Sequence, residues 1–144
     1  MRNPPLQMAR ESSHTIVLVT PPDTVDRVHE LLETVWSESP HISPVDRAGF
    51  ETAVIELASN VIKHANGGNP VECTVAIDTS DGMICATLID TGIASNLELR
   101  RVRMPEGLAE SGRGLAIIRA LVDEVVYESD ADVNYWRISC RISP

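Results

Sequence analysis

Aromatic side chains are scarce, with Phe, Tyr and Trp making up 3% of the 144 residues. A core must therefore come from Val, Ile, Leu and Ala. Apolar residues in all reach 43%, a globular share that excludes a wholly disordered chain. No apolar run approaches the roughly eighteen residues that a membrane-spanning helix needs. Residues 1–13 lack the apolar centre of a signal peptide, so the expectation is a cytoplasmic protein with no membrane partner. Basic residues are also short: 12 Lys and Arg stand against 21 Asp and Glu, a net charge of −9 with His neutral. Such a field repels phosphate backbones and excludes direct nucleic-acid binding as the natural role. A bound nucleotide needs local help from backbone amides and a divalent cation. Cys73, Cys85 and Cys140 form no C-x-x-C pair, and each sits in a strand-like apolar context, which predicts buried reduced thiols. His14, His29, His41 and His64 show no ligand spacing.

What is present reads as one domain. Residues 1–14 form an N-terminal arm, and residues 15–144 form the folded unit. The β-branched run 15–20 predicts a strand, stopped by Pro21-Pro22. Val25, Val28, Leu31, Leu32 and Val35 recur at helical spacing, predicting a helix from Pro22 or Asp23 to about Ser37. A Pro-containing loop follows, and Ser43 is placed to cap the next helix with Pro44 in its first turn. That helix, residues 46–64, ends at Asn66-Gly67-Gly68-Asn69-Pro70. Two strands follow, 71–77 and 83–89, joined by a loop over 78–82. Residues 93–111 show no steady period and read as a long mobile loop of the kind that carries function. A helix from Gly114 to about Asp123 precedes strands 125–128 and 135–142. This order predicts an α+β fold: a two-layer sandwich with a mixed, mostly antiparallel sheet and helices on one face. Trp36 and Trp136 are expected in the partial core.

The central helix carries chemistry beside its core stripe. Phe50, Val54, Leu57, Ala58, Val61 and Ala65 fall on one side; Glu56, Asn60 and Lys63 share the neighbouring side. An amide oxygen suits a hard cation that keeps most of its waters. A carboxylate one turn away can take a proton from a hydroxyl or a water. Taken alone, the pair is more often a solvated helix face. Asp90-Thr91-Gly92 closes a strand: Asp90 can accept from an exocyclic amine, and Gly92 permits close approach of a ligand. Ser111-Gly112-Arg113-Gly114 opens a helix at Leu115, where exposed N–H groups and the dipole favour phosphate. Singly, these two read equally well as a turn and a linker. His64 reads as a packed histidine, and Arg100-Arg101-Val102-Arg103 as a solvated basic run.

Their joint order resembles the GHKL ATPase superfamily of gyrase, heat-shock chaperone, histidine kinase and MutL types. Within it the chain is most similar to the small single-domain branch, the anti-sigma-factor serine/threonine kinases. Residues 56–64 resemble the N box, 90–92 the first glycine box and 111–115 the second. The resemblance spans about residues 15–142. It implies ATP or ADP as ligand with Mg2+ held by Asn60, and Glu56 as general base on a partner's serine hydroxyl. It also implies Asp90 on adenine, nucleotide access at Gly92, Gly112 and Gly114, and Arg113 near the phosphates. Lys63, Ser111 and Leu115 complete the implied binding set, and 93–111 becomes the ATP lid. The implied partners are a STAS-domain anti-anti-sigma protein, phosphorylated on serine, and a sequestered sigma factor, with a homodimer as the family's habit.

Two positions depart from the family pattern. Ala94 replaces a frequent glycine, and Glu110 stands where a basic residue often precedes the second box. A lid cation then falls to Arg100, Arg101, Arg103 or Arg113. These departures motivate the alternative of a non-catalytic nucleotide-binding module that acts by sequestering a partner. A detached histidine-kinase catalytic domain is disfavoured, since no helical hairpin with a phosphoacceptor histidine is evident.

Overall fold

A computed structural model describes residues 10–65, 70–91, 114–130 and 133–142. Five strands and three helices are set in it: β1 (Arg10–Thr20), α1 (Val25–Glu38), α2 (Pro44–Ala65), β2 (Val71–Ser80), β3 (Met83–Asp90), α3 (Gly114–Leu121), β4 (Glu124–Asp130) and β5 (Val133–Arg141). The strands form one sheet in the order β1-β2-β3-β5-β4. All four pairings are antiparallel. The expected mixed sheet is thus corrected to an antiparallel one. The cause is the short link between successive strands at β2–β3 and β4–β5, which reverses the chain within the sheet.

Alternation explains the layering. In β2 the residues Val71, Cys73, Val75, Ile77 and Thr79 are buried, and those between them are exposed or half-exposed. The same period in β3 buries Ile84, Ala86 and Leu88. These side chains join Leu18, Trp136 and Ile138 and the inner faces of the helices in one aliphatic core. Trp136 is buried and Trp36 packs half-buried against the same core, as expected.

Local signals account for most boundaries. Thr24 caps α1, its hydroxyl accepting from the Asp26 N–H at 3.2 Å. Ser43 caps α2, accepting from the Asp46 N–H at 3.2 Å, with Pro44 as the first helical residue. The helix thus starts at Pro44, as the Ser43 cap predicts, two residues before the periodic stretch that begins at Asp46. Between β2 and β3 the loop shrinks to Asp81-Gly82, because Ser80 already pairs with Met83. Gly82 supplies the positive φ of 91° that this two-residue turn requires. The strand β1 begins at Arg10, not Thr15: Ser12, Ser13 and His14 pair with Thr79, Asp78 and Ile77. Ser12 and Ser13 also bond the side chains of Thr79 and Asp78 at 2.8 and 2.6 Å. Polar pairing across a sheet edge replaces the apolar pattern that a sequence reading looks for. Likewise β4 and β5 continue through Asp130↔Val133, into the polar stretch expected to be a turn. The helix α3 stops at Leu121, two residues short of expectation. The Val122 N–H closes its last turn on the Ile118 carbonyl, and the Asp123 N–H turns to Ser139 of β5.

Candidate nucleotide site

Sheet register gathers one end of the molecule. Thr20 pairs with Val71, Cys73 with Asp90, and Asp90 with Asn134. The chain leaves α2 at Ala65 and enters β2 at Val71, so the C-terminal turn of α2 is tethered to that same end. Asp90 is the last residue of β3 rather than the first residue beyond it.

A second helix, α3, packs near the start of α2. A Cβ on Gly49, early in α2, would lie 3.8 Å from Leu121 Cδ2 at the end of α3. Val45, Asp46 and Gly49 also line a cleft with Ala120, Leu121, Asp123, Cys140 and Arg141. The C-terminus of α3 is thus beside the N-terminus of α2, and α3 has eight residues. At about 1.5 Å per residue it rises about 12 Å. Gly49, Ala53, Glu56, Asn60 and Lys63 follow one another at spacings of four, three, four and three. They form one stripe of α2, and Gly49 at its start faces Leu121 of α3. Leu115 and Ile118, buried, hold α3 down on the core.

Individual side chains fall as follows. Asn60 is buried, with 6% exposure, and its Nδ2 has no hydrogen-bond partner among the described residues. A buried amide in that state costs about 1–3 kcal/mol unless something completes it. Glu56 is half-buried one turn earlier. Lys63 is exposed, and with Ser59 and Ile62 it rims a groove of about 390 Å3 against the loop from Thr20 to Val25. Asp90 is 3% exposed and accepts from Asn134 Nδ2 at 3.1 Å. Asn134 in turn accepts from the Tyr127 hydroxyl at 3.0 Å. Thr91 is tied to β2, its N–H donating to the Glu72 carbonyl at 3.0 Å. Cys73 lies across the ladder from Asp90. Burial, helped by the Asp90 carboxylate, pushes its thiol up to about 12. It is a neutral neighbour, as expected of a buried reduced cysteine.

Gly92, Ser111, Gly112, Arg113 and the whole stretch 93–111, with Ala94, Arg100, Arg101, Arg103 and Glu110, lie outside the described residues, as do residues 1–9; the side chain of His64 is not described either. Asn134 and Tyr127 are the site residues that sequence reading missed. No short motif marks them, and Asn134 sits inside a stretch that reads as a polar turn. Among the described residues no three His, Cys, Asp or Glu side chains cluster to hold a metal. The donor set fits a divalent cation that arrives with phosphate and water, taking one neutral protein oxygen from Asn60.

The sequence model of the histidine kinase-like ATPase domain matches residues 19–139. The chain belongs to the histidine kinase-like ATPase domain family. Nucleotide binding comes with that membership. No curated protein matches the chain in sequence. In shape it is similar to the crystal structure of the RsbU and RsbW domains of Rv1364c from Mycobacterium tuberculosis, with a TM-score of 0.61 and 19% identity. That likeness covers 92% of this chain and 33% of the other, so this chain spans about a third of its length. At this identity the likeness concerns the fold alone. No helix among the described residues is long and apolar enough to cross a membrane.

Proposed function

We propose that this ATPase-family domain is an ATP-dependent protein serine kinase that doubles as an anti-sigma factor and phosphorylates a STAS-type anti-anti-sigma protein. The observation that carries the reading is the buried Asn60, whose Nδ2 has no hydrogen-bond partner among the described residues, one turn from Glu56 on α2. The RsbW domain named in the solved relative supports the same class of role.

The chemistry follows from the residues. Asn60 would hold Mg2+ through its side-chain oxygen, and the ion when bound would neutralise charge on the phosphate oxygens. The N–H groups of the first turn of α3 face the phosphates. Asp90, fixed at the end of β3, accepts from the 6-amino group of adenine. The oxygen of the partner's serine bonds to the γ-phosphorus, and the bond from that phosphorus to the bridging oxygen of ADP breaks. The serine proton passes to a Glu56 carboxylate oxygen, a general-base contribution worth about 10²–10⁴-fold.

The test is transfer of label from γ-labelled ATP, with Mg2+, to the serine of a STAS-domain partner. Wild type transfers label, and Glu56→Gln lowers the rate by about 10²–10⁴-fold while ADP affinity stays within twofold. A folded wild type that binds ADP yet labels no serine overturns the kinase reading in favour of a domain that acts by sequestration alone.

A further inference from the structure

Three side chains from three strands make a buried relay at the proposed adenine end. Asp90 ends β3, Asn134 lies opposite it on β5, and Tyr127 comes from β4. Asn134 is 2% exposed and Asp90 3%. Tyr127 packs on Trp136, ring centroids 4.3 Å apart, which restricts where its hydroxyl can reach. The hydroxyl donates to Asn134 Oδ1 at 3.0 Å, and Asn134 Nδ2 donates to Asp90 Oδ1 at 3.1 Å.

The direction of this relay is dictated by chemistry. A side-chain amide has one accepting end and one donating end. Turning Asn134 over would set its oxygen against a carboxylate oxygen, two acceptors face to face in a water-poor site. The orientation that satisfies all three groups puts a donor against Asp90. In that orientation Asp90 is held as an acceptor, in one rotamer.

Resting on the nucleotide reading above, we infer that Asn134, clamped by Tyr127, is a positioning residue that sets purine specificity. It keeps Asp90 an acceptor, so the site takes the 6-amino group of adenine and refuses the 6-oxo group of guanine or hypoxanthine. A site built to complement one polar group rejects the analogue that presents the wrong one by leaving buried atoms unpaired.

The decisive measurement is the ratio of affinities for ADP and inosine diphosphate, titrated calorimetrically with Mg2+ into the full chain. The two ligands differ at the 6-position and the adjoining N1 proton. Wild type favours ADP. Asn134→Asp keeps the shape but sets two carboxyl groups together, which must then share a proton. Its ADP to inosine diphosphate ratio falls at least tenfold. Tyr127→Phe leaves both strands intact and releases the amide, and its ratio falls by about three- to tenfold. It serves as the test even if Asn134→Asp fails to fold. A merely structural role weakens both ligands equally. Variants that fold and keep the wild-type ratio therefore overturn the inference while the nucleotide reading stands. A wild type that binds neither ligand overturns both.

Discussion

The two flanks of α2 meet their neighbours in opposite ways. On the flank towards α1, the side chains of Glu51 and Arg47 find partners within the fold. Glu51 accepts from Trp36 Nε1 at 3.0 Å and pairs with His29 Nδ1 at 3.2 Å. Arg47 donates to the Ile42 carbonyl at 2.9 Å and lies 5.9 Å over the Trp36 ring. Phe50 meets Trp36 edge to face at 6.2 Å. Towards α3 the contact at Gly49 is small, and further along the same stripe the buried Nδ2 of Asn60 has no partner among the described residues. One flank pairs its charged side chains by folding, and the other keeps a buried donor open. Buried polar groups left open at such a site are where ligands recover the cost of desolvation.

That contrast can be broken from either side. The largest expected effect is on the closed flank. Phe50→Ala removes a fully buried ring and should cost about 3–5 kcal/mol in denaturant unfolding, with the nucleotide constant of the surviving folded fraction unchanged. Next comes Asn60→Ala. Affinity for ADP with Mg2+, measured by calorimetry, should fall at least tenfold, about 1.4 kcal/mol or more. Unfolding free energy should not fall, because an unsatisfied amide has been removed. Glu51→Ala should cost about 1 kcal/mol through the lost bonds to Trp36 and His29 and leave ADP binding untouched. The smallest effect has the opposite sign. Gly49 is helical and an added methyl finds Leu121 at an ordinary 3.8 Å, so Gly49→Ala should stabilise by about 0.5–1 kcal/mol. A loss instead would show α3 seated more tightly on α2 than this spacing allows.

Proton linkage sharpens the same division. In the folded chain the Cys73 thiol is raised from 9.0 to about 12, and burial likewise raises Cys140 to about 11. Unfolding exposes both thiols, which then release protons at lower pH than the folded chain does. Stability should therefore fall as pH climbs from about 9 towards 12, and neither thiol should contribute any slope near neutrality. Urea midpoints across pH 7–11 measure this, and Cys73→Ser should flatten the alkaline limb.

Much of this protein is written in short-range pattern. The stripe of Phe50, Val54, Leu57 and Val61 determines α2, Ser43 and Pro44 its start, and the polar stretch 78–82 marks the β2–β3 hairpin, whose two-residue turn only the register defines. The order of Glu56, Asn60, Asp90 and Gly114 along the chain is enough to name the family. These signals need only neighbours within a helical turn or a strand's alternation, so they survive in one dimension. Tertiary structure decided the rest. It buried Asn60 instead of leaving it on a solvated flank, and it packed the end of α3 beside Gly49 of α2. Above all it joined Asp90 to Asn134 across 44 residues, with Tyr127 behind. Those partners are chosen by sheet register and by which strand becomes the neighbour of β3, and no local period encodes that choice.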